Sequence, residues 1–159
     1  MAQSKVDPIT FEVLRHRLWA INDEAAAVLR RVSGSPVAFD VNDFNTTLLD
    51  AEGNSFVVGV YMLTIAIGQD MVAKYILERY ADNPGINPDD MFICNDPYIG
   101  APHQNDVMVV APIHWHGELI AWAGACIHQQ DVGGPTQGSQ VSLDAQSIFE
   151  EGFPMPPMK

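Results

Sequence analysis

The chain has 159 residues, 47% apolar and 18% charged, and its 20 acidic against 8 basic side chains give a formal net charge of −12. Neutralising nucleic-acid phosphates or anionic lipid headgroups needs clustered Lys and Arg, yet the densest basic cluster, Arg15 to Arg17 with Arg30 and Arg31, falls inside one predicted helix, so the balance argues against a nucleic-acid or membrane partner. With a mean hydropathy of +0.01 and a charged fraction below the globular average, residues 1–159 read as a single domain or part-domain whose apolar surface is covered by either a partner chain or further sequence.

Asp7-Pro8 has the form of a helix start, with Asp as N-cap and Pro at the first helical position. Val13, Leu14, Leu18, Ile21, Ala25, Val28, Leu29 and Val32 then recur at three- and four-residue spacing until Ser33-Gly34-Ser35-Pro36, which predicts one long amphipathic helix. Residues 44–49 and 55–60 flank the turn-forming Asp50-Ala51-Glu52-Gly53-Asn54 and read as a β-hairpin. A second helix is expected from about Leu63 to Tyr80, with Ile65, Val72, Tyr75, Ile76 and Tyr80 mostly on one face, Gly68 weakening its first turns and Asn83-Pro84-Gly85 ending it.

From residue 91 onward the pattern turns to strands, Met91 to Cys94, Val107 to Ile113 and Glu118 to Ile127, the last two joined through His114-Trp115-His116-Gly117. The expected class is therefore α+β: a long N-terminal helix, a hairpin, a second helix, then a β-rich half. Two polar segments, 95–105 and 129–140, leave strand ends and are the places where a site is built most readily. The stretch from Gly152 to Lys159 carries Pro154, Pro156 and Pro157 and suits neither a helix nor a central strand.

The first ten residues lack an apolar targeting core, and no run approaches the roughly 18 apolar residues that span a bilayer. Cys94 and Cys126 lie in apolar runs, 32 positions apart and outside any CxxC, which favours reduced core thiols. The cytoplasm is the expected compartment.

Two His-x-x-Asp segments stand out: His103-Gln104-Asn105-Asp106 before one strand and His128-Gln129-Gln130-Asp131 after the next. If the two strands form an antiparallel hairpin, its open end brings residue 106 opposite residues near 125 to 128, and the segments meet. Imidazole nitrogens with a carboxylate suit Mn, Fe or Zn, and a two-His, one-carboxylate set leaves positions for substrate or water. Spacing alone leaves a second reading open, in which these are capping and turn residues. Asn95-Asp96-Pro97 with Gly100 is equally an Asx-type turn that merely connects. His114 and His116 flank a turn and are expected to face solvent, and His16 reads as structural. The Gly-rich stretch 131–139 lacks GxxxxGK[ST] or GxGxxG spacing, so it predicts no phosphate cradle.

Taken together, the run Met91-Phe92-Ile93-Cys94-Asn95-Asp96-Pro97-Tyr98-Ile99-Gly100, His103-x-x-Asp106, Gly117-Glu118-Leu119-Ile120, His128-x-x-Asp131-Val132-Gly133-Gly134 and Gly138-Ser139 resembles the hydantoinase B/oxoprolinase family. The opening Asp7-Pro8-Ile9-Thr10-Phe11-Glu12-Val13 and the later Ile148-Phe149-x-Glu151-Gly152 are similar to it too. The resemblance implies a B-type or α subunit of an ATP-dependent cyclic-amide hydrolase or ketone carboxylase, working with a hydantoinase A-type subunit that binds ATP and activates a small carbonyl substrate. It also implies a divalent metal, Mn, Zn or Fe, held by His103, Asp106 and His128, with Asp131 orienting His128 or a water and with Asn95 and Asp96 as further catalytic candidates.

Two departures bear on the reaction. Hydrolase members carry His-His-Ala-Asp-Val-Gly-Gly where this chain has Gln129 in second place, and Gln104-Asn105 stands where Leu-Pro is usual. A ketone carboxylase is therefore the expected type, with an amide hydrolase of the N-methylhydantoinase or 5-oxoprolinase kind, or a non-catalytic assembly subunit, as alternatives. Family B-type subunits are several times longer than this chain, so the expectation is either a split-gene subunit that assembles with a chain supplying the remainder or a fragment whose site is completed in trans.

Overall fold

The computed structural model describes residues 6–135 and 145–159. Helix α1 spans Pro8–Val32. Asp7 caps it, its Oδ1 accepting the Ile9 and Thr10 backbone N–H groups at 3.1 and 3.0 Å, and Gly34 at φ 65° carries the chain away from its end. The helix forms as its periodicity predicts, but its apolar stripe is not a core face. Only Asn22 and Ala26 are fully buried on it, whereas Val28 is 52% and Val32 72% exposed.

A short helix α2, Pro36–Val41, follows where only a helix stop was expected. Ser35 accepts the Ala38 N–H and Pro36 sits at the first helical position, while Asn42 in the left-handed region ends it. The next elements match the sequence reading: β1 Phe44–Asp50, β2 Ser55–Val58 and helix α3 Leu63–Tyr80. They are followed by β3 Phe92–Cys94, β4 Asp106–Trp115, β5 Glu118–His128 and a one-turn helix α4, Ile148–Glu151. Among the described residues no helix is long and apolar enough to cross a membrane.

The strands form one antiparallel sheet in the order β2-β1-β5-β4-β3. The N-terminal hairpin thus joins the later strands edge to edge, with β1 in an interior position against β5. Helix α3 packs on one face over β1, β5 and β4, around a core of Leu49, Val72, Ile76, Phe92, Met108 and Trp122. Helix α1 lies on the other face over β1 and β2. Because β1 is covered on both sides, its polar residues find partners inside. The Asn22 amide donates to the Thr46 carbonyl and the Thr46 hydroxyl to the Asn22 carbonyl, while Thr47 on the opposite face donates to Gln69 of α3.

Gly68 has a specific packing reason. Its backbone meets that of Gly100, where a Cβ on Gly100 would sit 2.5 Å from the Gly68 carbonyl oxygen. This contact presses the loop after β3 against α3. The proline-rich 152–159 stretch forms a strap beside β3, as its lack of helix and central-strand character requires. Ile93 and Met158 exchange backbone hydrogen bonds at 2.8 and 2.9 Å, and Tyr80 donates from its hydroxyl to the Pro157 carbonyl.

Candidate metal centre

The β4–β5 hairpin turns through His116 at φ 51° and Gly117 at φ 84°, the two positive φ values a two-residue type I′ connection needs. Counting back from Trp115↔Glu118 would set Asp106 opposite Ile127. A one-residue irregularity between Ile113 and His114, which leaves Ile120 without a partner, shifts the register so that Asp106 pairs with His128. Directly paired residues share a face of the sheet, so this bulge puts carboxylate and imidazole on the same side.

Asp106 is fully buried and serves three donors or ring nitrogens. Its Oδ2 accepts the His103 backbone N–H at 2.8 Å and lies 3.0 Å from His103 Nδ1, and its Oδ1 lies 2.8 Å from His128 Nδ1. The two imidazoles meet edge to face with centroids 5.7 Å apart. His103, Asp106 and His128 are the one set of three His, Cys, Asp or Glu residues among the described residues whose ligand atoms all fall within 4.8 Å of one another. His103 is largely exposed, with 66% of its side chain open, while His128 is buried. The site therefore has a dry wall and a wet mouth.

A fourth group, Asp43, was not singled out from the sequence. Its Oδ2 lies 3.9 Å from His128 Nδ1, and its carbonyl accepts the His128 N–H at 3.0 Å. It stands just before β1, and the pairing of Phe44 with Ile127 carries it to His128; no local motif signals that approach. Burial raises the Asp43 pKa, helped by the Asp106 charge and opposed by His128 and His103. The hydrogen bond to the Asp106 carboxylate raises the His128 pKa against the opposing effect of burial, and the charges of Asp106 and Asp43 add to the rise.

Residues around the site hold its backbone. Ser35 donates its hydroxyl to the His128 carbonyl at 2.9 Å, so the cap of α2 also anchors the end of β5. Asn105 Nδ2 donates to the Gln129 carbonyl and the Gln129 N–H to the Asn105 carbonyl, at 2.9 and 2.7 Å. Position 129 thus ties the two loops together through its backbone.

The remaining candidates lie elsewhere. The Asn95 side chain is wholly engaged with backbone, donating to the Gln104 and Phe153 carbonyls and accepting the Met155 N–H, which fastens the His103 loop to the strap. Asp96 makes the Asx turn, accepting the Tyr98 N–H at 2.9 Å. Asp131 accepts the Gly133 N–H at 2.8 Å and is not one of the three residues of the close set. Gly138 and Ser139 lie outside the described residues. His116 is exposed as expected, whereas His114 is half-buried.

The donor set fits a transition-metal ion. His128 Nε2 is buried and has no hydrogen-bond partner among the described residues, a vacancy a metal bond would fill, since buried polar atoms otherwise find partners. Two imidazoles and a carboxylate suit Zn, Mn or Fe better than the all-oxygen shells of Ca or Mg.

The family model for hydantoinase B/oxoprolinase matches residues 7–159. The chain belongs to the hydantoinase B/oxoprolinase family. Its fold superposes on a nucleotide-free structure of acetone carboxylase, from work on ATP-dependent acetone carboxylation, with a TM-score of 0.89 and 30% identity over 96% of this chain and 20% of that one. The ATP-dependent caprolactamase of Pseudomonas jessenii gives a TM-score of 0.86 at 28% identity over 98% of this chain and 26% of the other. The acetophenone carboxylase delta subunit of Aromatoleum aromaticum is 31% identical over 98% of this chain and 22% of its own length. The chain spans about a fifth to a quarter of the length of these family members. They include ATP-dependent carboxylases and amide hydrolases, and several are subunits of larger enzymes.

Proposed function

We propose that this chain contributes the metal-bearing part of an ATP-dependent ketone carboxylase complex, in the cytoplasm. The observation that carries the reading is the convergence of His103, Asp106 and His128 at one end of the β4–β5 hairpin, where the buried His128 Nε2 has no hydrogen-bond partner among the described residues. The partners proposed are a hydantoinase A-type subunit that uses ATP and a chain supplying the rest of the B-type unit. The similarity to acetone and acetophenone carboxylase subunits supports the reaction class, as does Gln129 in place of the hydrolases' second His.

A metal bound by His103, Asp106 and His128 would supply Lewis acidity toward the oxygen of a carbonyl or enolate. Asp106 holds both rings through its two oxygens and so fixes the orientation of each imidazole. His103 presents its ring at the open mouth, and buried His128 forms the dry wall, where developing charge is screened least. Asp131, Asn95 and Asp96 are proposed in supporting roles, holding the loops that frame the mouth.

The structural match to caprolactamase favours amide hydrolysis as the second reading. Bicarbonate dependence separates the two. ATP turnover by the assembled complex that requires bicarbonate supports the carboxylase, whereas turnover driven by a cyclic amide without bicarbonate replaces it with the hydrolase. Full metal occupancy in a His103→Ala, His128→Ala double variant would remove the metal centre from either reading and leave an assembly subunit.

A further inference from the structure

The apolar stripe of α1 is more regular than a core-facing helix requires. Leu14, Leu18, Ile21, Ala25, Val28 and Val32 follow one another at spacings of four, three, four, three and four, the 3.5-residue repeat of a seam made to pack against another helix. None is buried: Ile21 is 55%, Val28 52% and Val32 72% exposed. Beside this seam the sheet is open. Helix α1 covers β1 and β2, while the same face of β4 and β5 presents Val109, Ala111, Ala123 and Ala125, all half-buried. Together they form a groove of about 530 Å³ lined on one wall by Ile21, Glu24, Ala25, Val28 and Val32.

The dimensions specify the occupant. Two neighbouring strands are about 10 Å across, the diameter of one helix with its side chains, and α1 already stands beside them as a first helix of that layer. The floor is mostly alanine, which lets a second helix approach closely. The exposed flank of the seam carries Arg17, Glu24 and Arg31, with two of the chain's 8 basic residues, and neither Arg forms an ion pair among the described residues. A long helix lying there meets Glu24 at the groove itself and an arginine seven positions before and after it on the same flank.

We propose that this groove seats one amphipathic α-helix from the polypeptide that makes up the remaining length of the family's B-type subunits. Its apolar residues recur at three- and four-residue spacing, and acidic residues face Arg17 and Arg31. The assignment rests on the reading that a further chain completes the B-type unit. In the acetone carboxylase structure the matching fold is 20% of the chain, so a long polypeptide is at hand to supply such a helix.

The test is photo-crosslinking in the complex isolated through a tag on this chain, with benzoylphenylalanine in place of Val28. The expected product joins position 28 to one peptide of the remaining hydantoinase B sequence that has the stated apolar spacing and acidic flank. Val28→Asp should lower recovery of that polypeptide at least about tenfold and Val28→Leu should leave it unchanged, with the circular dichroism of both matching the parent because the side chain is half-exposed. A crosslink to a second copy of this chain, to a non-helical segment or to nothing overturns the proposal, as does equal recovery with both variants. Metal analysis of the same preparation keeps the two readings apart. A helix crosslink in a metal-free complex removes the metal centre and leaves the groove; a metal-bearing complex crosslinked copy to copy does the reverse.

Discussion

Asp106 and His128 are cross-strand partners at the open end of the β4–β5 hairpin, with Asp106 Oδ1 2.8 Å from His128 Nδ1. The same buried carboxylate holds His103 through its other oxygen, so one side chain organises both imidazoles. Asp106→Ala is expected to abolish metal binding and to lower stability by about 1–3 kcal/mol, because buried His128 loses its acceptor. Metal analysis and urea unfolding of the purified chain check the two effects together; retained metal would contradict the organising role.

His103 separates binding from folding. Two-thirds of its side chain is exposed, so His103→Ala should change stability by no more than about 0.5 kcal/mol while weakening metal binding at least about tenfold. Calorimetric titration with Zn or Mn alongside thermal melts measures both quantities. An unchanged affinity would move the site away from His103.

The contact between Gly68 and Gly100 sets the loop that bears His103 against α3. An alanine at either position drives a Cβ into the other's backbone, and neither backbone can yield as a flexible side chain does. Gly100→Ala should cost about 1–3 kcal/mol and lower Tm by about 3–10 °C. A variant that melts like the parent would show that the loop relaxes freely.

Burial pushes the Cys94 thiol up to about 11 and raises that of Cys126 well above the ordinary range. Both should resist alkylation at pH 8 until the chain unfolds. The sign of the stability effect follows. Between about pH 9 and 11 the unfolded thiols ionise and the folded ones do not, so the unfolded state binds fewer protons and stability falls as pH rises. Rapid iodoacetamide labelling of the native chain at pH 8 would contradict the buried placement.

Much of the architecture was legible because local signals agreed with one another. Asp7-Pro8 fixed the start of α1, Asn54 and its neighbours closed the first hairpin, and the apolar alternation of β4 and β5 marked the strands that carry the site. The two His-x-x-Asp segments pointed to the end of the hairpin where their first histidines and Asp106 gather. Helix α2 was missed because a Ser-Pro stop and a Ser-Pro start look alike. Asp43 was missed because its approach to His128 depends on β1 inserting beside β5, a pairing between residues 71 to 83 positions apart.

By itself the sequence determined most of the elements, the family and the residue types able to bind a metal, since helix caps, turn residues and apolar period are local properties of the chain. The tertiary structure decided three further matters. The bulge at Ile120 chose His128 rather than Ile127 as the partner of Asp106, and a one-residue slip would have sent the imidazole to the other face. The sheet order brought Asp43 to the site. The position of α1 over β1 and β2 turned an apolar stripe, indistinguishable in sequence from a core face, into an open seam. Periodicity shows that a helix has an apolar side; only the packing of its neighbours shows whether anything in the same chain covers it.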